Sequence, residues 1–79
     1  MKIKKILENI DYSGNFDDIE ILNISYDSRK ATKQSMFIAI EGEDFNGHDF
    51  ISQAIKNGAV AVVKERGYNE INGAINIEV

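Results

Sequence analysis

A chain of 79 residues fits one small domain, near the lower end of what can bury a self-sufficient core. Its 13 acidic and 9 basic side chains give a formal net charge of -4, which repels a phosphate backbone and argues against a nucleic-acid partner. With no cysteine and one histidine, the chain offers no disulfide, zinc-thiolate site, thiol nucleophile or His-rich metal site. It has neither a signal-peptide core nor an apolar run of membrane-spanning length, so we expect a cytoplasmic protein without a membrane partner.

The first 30 residues contain a helical pattern followed by a strand pattern. Apolar residues occupy positions i, i+3, i+4 and i+7 at Ile3, Ile6, Leu7 and Ile10. This spacing predicts a short amphipathic helix that ends before Ser13. Residues 19–24 predict a half-buried strand, after which Asp27 and Ser28 favour a turn through side-chain bonds to nearby backbone N–H groups.

Two continuous apolar runs, residues 36–40 and 59–63, have the length and composition of strands covered on both faces in a parallel sheet. A helix is predicted between them. Its buried stripe comprises Phe50, Ile51, Ala54 and Ile55. Asp49 suits the positive first turn of this helix, and Asn57-Gly58 supplies a left-handed stop. The strand, helix and strand together predict a right-handed crossover unit.

The last residues predict one more strand. Asn72-Gly73 marks a turn, and Ile75, Ile77 and Val79 alternate with polar residues. The fold class is therefore α/β, a small three-layer-like domain with a mostly parallel sheet. A domain that ends in this strand lacks a closing helix, so we expect the native polypeptide to continue beyond residue 79.

The loop from Glu41 to Gly47 leaves the end of one predicted strand and enters the predicted helix. In open parallel sheets ligands bind at this position, where the helix offers unpaired N–H donors, and a diphosphate would suit them. The alternative is that Gly42 and Gly47 only permit a tight connection. The loop has no G-x-G-x-x-G or Walker sequence, so the spacing of its glycines alone does not decide between a diphosphate site and a tight connection.

Other polar residues also have both a ligand-binding and a purely structural interpretation. Asp27, Ser28 and Arg29 form either a binding corner for a base or phosphate, or a solvated turn with a surface ion pair. His48 is interpreted as a residue that caps or flanks the helix start, and not as a general base. The acidic side chains of the loop are interpreted as solvated and not as a metal site, and the loop's aromatic, Phe45, either stacks on a base or folds back on the domain.

Several motifs in order carry a family resemblance. They are Ile24-Ser25-Tyr26-Asp27-Ser28-Arg29-Lys30, Met36-Phe37-Ile38-Ala39-Ile40-Glu41-Gly42, Asn46-Gly47-His48-Asp49-Phe50-Ile51, Ala54-Ile55 and Gly58-Ala59. Together they resemble the N-terminal domain of Mur ligases, over most of the chain after Ile19. Two departures are visible: the family's usual Pro-Gly-Asp is Lys33-Gln34-Ser35 here, which leaves the turn type open, and its Asp-Gly-His is Asn46-Gly47-His48.

The resemblance implies a site for the UDP part of a nucleotide-sugar substrate. Residues implied to contact the uridine nucleotide or line the diphosphate site are Tyr26, Ser28, Glu43, Asp44 and Phe45. Residues implied to support the turn and the helix entry are Asp27, Arg29, Gly42, Asn46, Gly47 and His48. Backbone donors would matter more than side chains in this loop, because its acidic groups oppose a diphosphate. No catalytic residue, metal ligand or cofactor site is predicted in the chain itself.

The function implied by the resemblance belongs to a larger enzyme. Most similar is the family member that adds the third amino acid, meso-diaminopimelate or L-lysine, to UDP-N-acetylmuramoyl-L-alanyl-D-glutamate in peptidoglycan synthesis. ATP and Mg2+ would be used by the other domains of that ligase, which are also the expected partners of this one. The alternatives are the first domain of the D-alanyl-D-alanine-adding ligase, and a free-standing protein-interaction module with the same fold.

Overall fold

The computed structural model describes residues 1–79 as four parallel strands with short helices on both faces. The elements are α1 (Ile3–Ile6), β1 (Asn23–Ser25), β2 (Ser35–Ile38), α2 (Ile51–Lys56), β3 (Ala59–Lys64) and β4 (Ile75–Glu78). Two 3-10 turns, Ser28–Lys30 and Gly47–Phe50, follow β1 and precede α2. The strand order is β1-β2-β3-β4, and every neighbouring pair is parallel. The predicted α/β class is confirmed.

The sheet is covered on both faces, as the continuous apolar runs of β2 and β3 predicted. Alternate side chains enter different clusters, because successive residues of a strand point to opposite faces. The cluster on the α1 face contains Ile3, Leu7, Ile21, Met36, Ala61, Val63 and Ile77. The cluster on the α2 face contains Ala31, Phe37, Ala39, Ile51, Ala54, Ala59 and Val62. A central sheet between two apolar layers is what makes so short a chain compact.

The first helix is shorter than predicted. It ends at Ile6, and Asn9 adopts a φ of 69°, in the left-handed region that terminates helices. Ile10 is therefore exposed and lies outside the buried stripe. The strand predicted over residues 19–24 was also misplaced, because β1 begins at Asn23 and the preceding residues pair with the chain start through an antiparallel Lys2–Glu20 bridge.

The turn before β2 has the geometry of a type II turn, although its residues depart from Pro-Gly-Asp. The N–H of Ser35 donates to the carbonyl of Thr32 at 3.2 Å, and Gln34 has a φ of 63°. A positive φ at the third position is the requirement of a type II turn, which favours Gly there and Pro before it. Gln34 occupies the position of the family's glycine at a cost of about 1 kcal/mol, while its side chain donates to the carbonyl of Glu20 at 3.0 Å.

The predicted helix stop at Asn57-Gly58 is confirmed. Gly58 has a φ of 119°, and a Cβ on it would lie 2.7 Å from the nitrogen of Lys33. The other end of α2 differs from the prediction, because the 3-10 turn precedes it and Phe50 is exposed instead of buried. No helix of the structure has the length and hydropathy needed to cross a membrane.

Candidate functional site

The polar corner after β1 is closed by its own side chains. The hydroxyl of Ser25 donates to the carbonyl of Asp27 at 2.7 Å. The carboxylate of Asp27 accepts from the Arg29 backbone N–H at 3.0 Å and from the Arg29 guanidinium at 3.1 and 2.9 Å. These hydrogen bonds, more than the charge of Arg29, lower the pKa of Asp27, and the same contact raises the pKa of Arg29. The corner keeps its ion pair at neutral pH.

Ser28 lies inside the corner and ties it to α2. Its side chain is 6% exposed, and its hydroxyl donates to Oε1 of Gln53 at 2.9 Å. The carbonyl of Ser28 accepts from Nδ2 of Asn57 at 3.0 Å. The hydroxyl proton is therefore engaged within the protein, and the oxygen retains the capacity to accept a hydrogen bond.

The glycine loop, residues 41–47, follows the end of β2 and lies at the same edge of the sheet as the polar corner. Its base is closed by two backbone bonds, from Gly42 N–H to Phe45 O at 2.9 Å and from Gly47 N–H to Ile40 O at 2.7 Å. A Cβ on Gly47 would lie 2.8 Å from the nitrogen of Ile40, so the close approach of the two chain segments requires glycine.

The tip of the glycine loop presents unpaired donors. The N–H groups of Glu43, Asp44 and Phe45 have no acceptor within the protein, whereas those of the two glycines are bonded at the base. All three residues are exposed. Successive free N–H groups in a turn suit an anion or a carbonyl-bearing ligand.

A cavity of about 420 Å³ lies between the polar corner and the glycine loop, within the size range of small-molecule sites. It is lined by Tyr26, Asp27, Ser28, Arg29, Phe37, Phe45, Gly47, Phe50 and Gln53. Two of these side chains, Tyr26 and Phe45, are 78% and 63% exposed. The ring of Phe45 packs edge-on against Phe50, with centroids 5.9 Å apart, and still leaves much of its surface open. The cavity therefore combines aromatic walls with polar groups from two loops.

Six of the residues singled out in the sequence line this cavity, and five do not. The five outside it are Gly42, Glu43, Asp44, Asn46 and His48. Glu43 and Asp44 extend into solvent at the loop tip. Nowhere in the structure do three His, Asp or Glu side chains group in a way that could hold a metal ion.

His48 has a structural environment outside the cavity. Its Nδ1 contacts Oδ1 of Asn46 at 2.7 Å, and its Nε2 accepts from the backbone N–H of Glu65 at 3.0 Å. The Nδ1 atom therefore carries the proton in this arrangement. Asn46 also caps the 3-10 turn by accepting from the His48 N–H at 3.0 Å, and asparagine and aspartate are both good caps at such a position.

Three residues of the cavity were missed by the sequence reasoning. Phe37 was assigned only to the core and Phe50 only to the buried stripe of a helix, yet both line the cavity. Gln53 gave no local signal, because its partner Ser28 lies 25 positions earlier. Only the pairing of α2 with the corner brings the two together.

The fold and the cavity define a class of protein: a small parallel α/β domain with a pocket between two loops at the carboxyl ends of adjacent strands. The sequence comparison is more specific. Residues 20–79 match the Mur ligase family, catalytic domain. The chain belongs to the Mur ligase family, and the predicted resemblance is confirmed.

Curated relatives match most or all of the chain. It is 45% identical over 82 residues to the UDP-N-acetylmuramoyl-L-alanyl-D-glutamate--2,6-diaminopimelate ligase of Alkaliphilus metalliredigens, covering 100% of this chain and 16% of that protein. A ligase of the same name, numbered 2, from Clostridium acetobutylicum is 43% identical over 72 residues, which are 89% of this chain and 15% of the relative. The chain thus spans a small fraction of the relatives' length.

Solved structures share the fold. MurF from Acinetobacter baumannii superimposes with a TM-score of 0.70 and 31% identity, over 82% of this chain and 14% of that one. MurF from Thermotoga maritima, in complex with ADP, gives a TM-score of 0.58 and 31% identity over 68% of this chain and 13% of that one. The parallel arrangement is therefore that of solved Mur ligases.

Proposed function

We propose that this chain binds the UDP part of UDP-N-acetylmuramoyl-L-alanyl-D-glutamate and serves as the first domain of a ligase that adds 2,6-diaminopimelate in peptidoglycan synthesis. The observation that carries the proposal is the cavity between the polar corner and the glycine loop, with free N–H groups at Glu43, Asp44 and Phe45 beside it. The names of the curated relatives support the substrate and the amino acid.

The chemistry of the cavity suits a uridine. A uracil ring has a flat π-face and two carbonyl oxygens, and the exposed rings of Tyr26 and Phe45 offer stacking surfaces. The free N–H of Phe45, at the cavity wall, can donate to a uracil carbonyl, and the Ser28 oxygen can accept from the ring N–H. The cavity thus offers the base both a hydrogen-bond donor and an acceptor.

The diphosphate is assigned to the backbone donors of the loop tip. The carboxylates of Glu43 and Asp44 repel it, so these residues act through their N–H groups while their side chains stay in solvent. The Arg29 side chain is 80% exposed beside the cavity and adds a positive charge, which its ion pair with Asp27 partly neutralises.

ATP and Mg2+ do not fit the residues of this chain. The sequence has no G-x-x-x-x-G-K-[ST], and the N–H groups of Gly42 and Gly47 are already bonded within the loop. We assign ATP and Mg2+ to other parts of a longer ligase, which would form the amide bond and would be this domain's partners in a cytoplasmic enzyme. The contribution of the present residues is to bind the UDP end and thereby help position the distant reacting carboxylate.

The choice of amino acid rests on the sequence relatives. Those described above are named for 2,6-diaminopimelate and reach 45% identity, whereas the D-alanyl-D-alanyl ligase of Acinetobacter baumannii is 29% identical. The D-alanyl-D-alanine-adding ligase and an L-lysine-adding ligase are the alternatives within the family. Neither changes the UDP end of the substrate, so the site assignment is the same for all three.

The test is a titration of the isotope-labelled 79-residue protein with UDP-N-acetylmuramoyl-L-alanyl-D-glutamate, with UDP and CDP as comparison ligands. We expect amide NMR shifts confined to the polar corner and the glycine loop, from both uridine ligands and more weakly from CDP. A folded protein whose signals do not move at millimolar ligand would contradict the proposal and favour the interaction-module alternative. Equal responses to UDP and CDP would remove the assignment of the base contacts.

A further inference from the structure

The glycine loop is contacted from behind by the loop that follows β3. The rings of His48 and Tyr68 are parallel within 2°, with centroids 3.6 Å apart. The phenol oxygen of Tyr68 accepts from Nδ2 of Asn46 at 2.7 Å, and Nε2 of His48 accepts from the Glu65 N–H. Glu65 and Tyr68 of the second loop thus bind Asn46 of the glycine loop and His48 just after it, through stacking and directional hydrogen bonds.

The second loop is itself fixed to the sheet by a buried lysine. Lys64, at the end of β3, is 3% exposed, and its ammonium group donates to the carbonyls of Tyr68 at 3.0 Å and Asn69 at 3.3 Å. The carboxylate of Glu78 on β4 lies 4.0 Å away. A buried ammonium ion is costly unless its protons are bonded, so the loop is held in the position that satisfies them.

These contacts converge on the part of the glycine loop that forms the cavity wall. Asn46 lies between Phe45 and Gly47, which both line the cavity, whereas Lys64, Tyr68 and His48 do not. Tyr68 therefore reaches the cavity only through Asn46 and His48. An effect of Tyr68 on binding would have to pass through the position of the glycine loop.

We propose that Tyr68 and His48, anchored by Lys64, form a clamp that holds the glycine loop in its ligand-binding position. This inference rests on the proposed function for the identity of the ligand. Tyr68 is a positioning residue: it fixes the direction of the Phe45 ring and of the free N–H groups without touching the ligand. A loop that is already ordered in the free protein loses less conformational entropy when the ligand binds. The clamp therefore raises affinity for the uridine nucleotide.

The test compares Tyr68→Ala with Tyr68→Phe in the 79-residue protein. Tyr68→Ala removes the stack and the bond to Asn46, whereas Tyr68→Phe keeps the stack. Asn69→Ala is the matched control, because Asn69 is exposed in the same loop and its side chain makes no hydrogen bond. We expect UDP affinity to fall by about threefold to thirtyfold in Tyr68→Ala, and to stay within about threefold of wild type in Tyr68→Phe and Asn69→Ala.

A second measurement does not depend on the ligand. The Gly47 N–H is bonded to Ile40 O, so its hydrogen exchange reports how often the base of the glycine loop opens. If the clamp holds this loop, exchange at Gly47 should be faster in Tyr68→Ala than in Tyr68→Phe. Unchanged exchange at Gly47, or wild-type UDP affinity in a folded Tyr68→Ala protein, would overturn the inference. Failure of the wild-type protein to bind UDP would instead remove the proposed function, and the exchange result would still decide whether the clamp exists.

Discussion

The two walls of the cavity are held in different ways. The polar corner is closed by side chains, since Ser25, Asp27 and Gln53 accept or donate the bonds that define it. The glycine loop is closed by two backbone bonds at its base, and its tip keeps unpaired N–H groups. The polar corner is therefore a preformed surface, while the glycine loop exposes backbone donors and depends on its glycines and on the contacts that Tyr68 and His48 make behind it. Changes at the two walls should therefore differ in kind.

The largest effect is expected at the base of the glycine loop. Gly47→Ala places a Cβ within 2.9 Å of both the nitrogen and the oxygen of Ile40, and backbone atoms cannot yield as a flexible side chain can. We expect a loss of about 2–3 kcal/mol in the free energy of unfolding, measured by urea denaturation.

Gly67→Ala is the matched control for this substitution. Gly67 has a φ of 96°, but a Cβ there meets nothing within 4 Å. Only the backbone strain of about 1 kcal/mol should appear. Equal losses at the two glycines would show that the close approach to Ile40 is not what fixes the loop.

A binding effect without a stability effect is expected at the loop tip. Phe45→Ala removes an exposed ring from the cavity wall, and stacking on a base is worth about 1–3 kcal/mol, so UDP affinity should fall by about tenfold. Isothermal titration measures this change. Leu22→Ala, which removes an exposed apolar side chain outside the cavity, should leave affinity unchanged, and a comparable loss there would refute the role of Phe45.

Ser28→Ala should modestly lower both the stability of the protein and its affinity for UDP. The substitution leaves Oε1 of Gln53 without its donor and removes an acceptor from the cavity, which we expect to cost about 1 kcal/mol of stability and to weaken UDP binding. Urea denaturation and titration of the same sample separate the two effects. A folded variant with wild-type affinity would exclude Ser28 from the ligand site.

The smallest effect should appear in the pH dependence of the corner. The pKa of Asp27 is lowered by its hydrogen bonds to Arg29. The ionised Asp27 therefore stabilises the folded corner at pH values above the usual Asp pKa of about 3.9. This stabilisation is lost as the pH falls through the lower pKa of the folded state. The Arg29 amide signal should be constant between about pH 8 and 5 and shift below about 4. Asp27→Asn should abolish that shift, and persistence of the shift in the variant would assign it to another group.

The sheet was the most predictable part of the molecule. Residues 36–40 and 59–63 are apolar without interruption, and a strand covered on both faces is the direct consequence of such a run. The first helix was less predictable, because its periodic pattern continues to Ile10 while Asn9 turns left-handed and ends it earlier. The spacing of apolar residues does not reveal a positive φ at one residue, and such a residue ends the helix wherever it occurs.

The candidate site was predictable only in part. The corner and the glycine loop carry local turn and glycine signals, and the family resemblance linked them to one ligand. Gln53 and Tyr68 carry no such signal, since they meet Ser28 and His48 only after the sheet has aligned their elements. The free N–H groups of the loop tip are also invisible in the sequence, because bonding within a loop depends on its path and not on its composition.

A set of intermolecular NOEs between the uracil H5 and H6 protons of bound UDP and the labelled protein would show directly whether the base occupies this cavity. We expect contacts to the rings of Tyr26 and Phe45, on opposite walls of the cavity. Contacts from bound UDP to other parts of the surface, with none to either ring, would contradict this expectation.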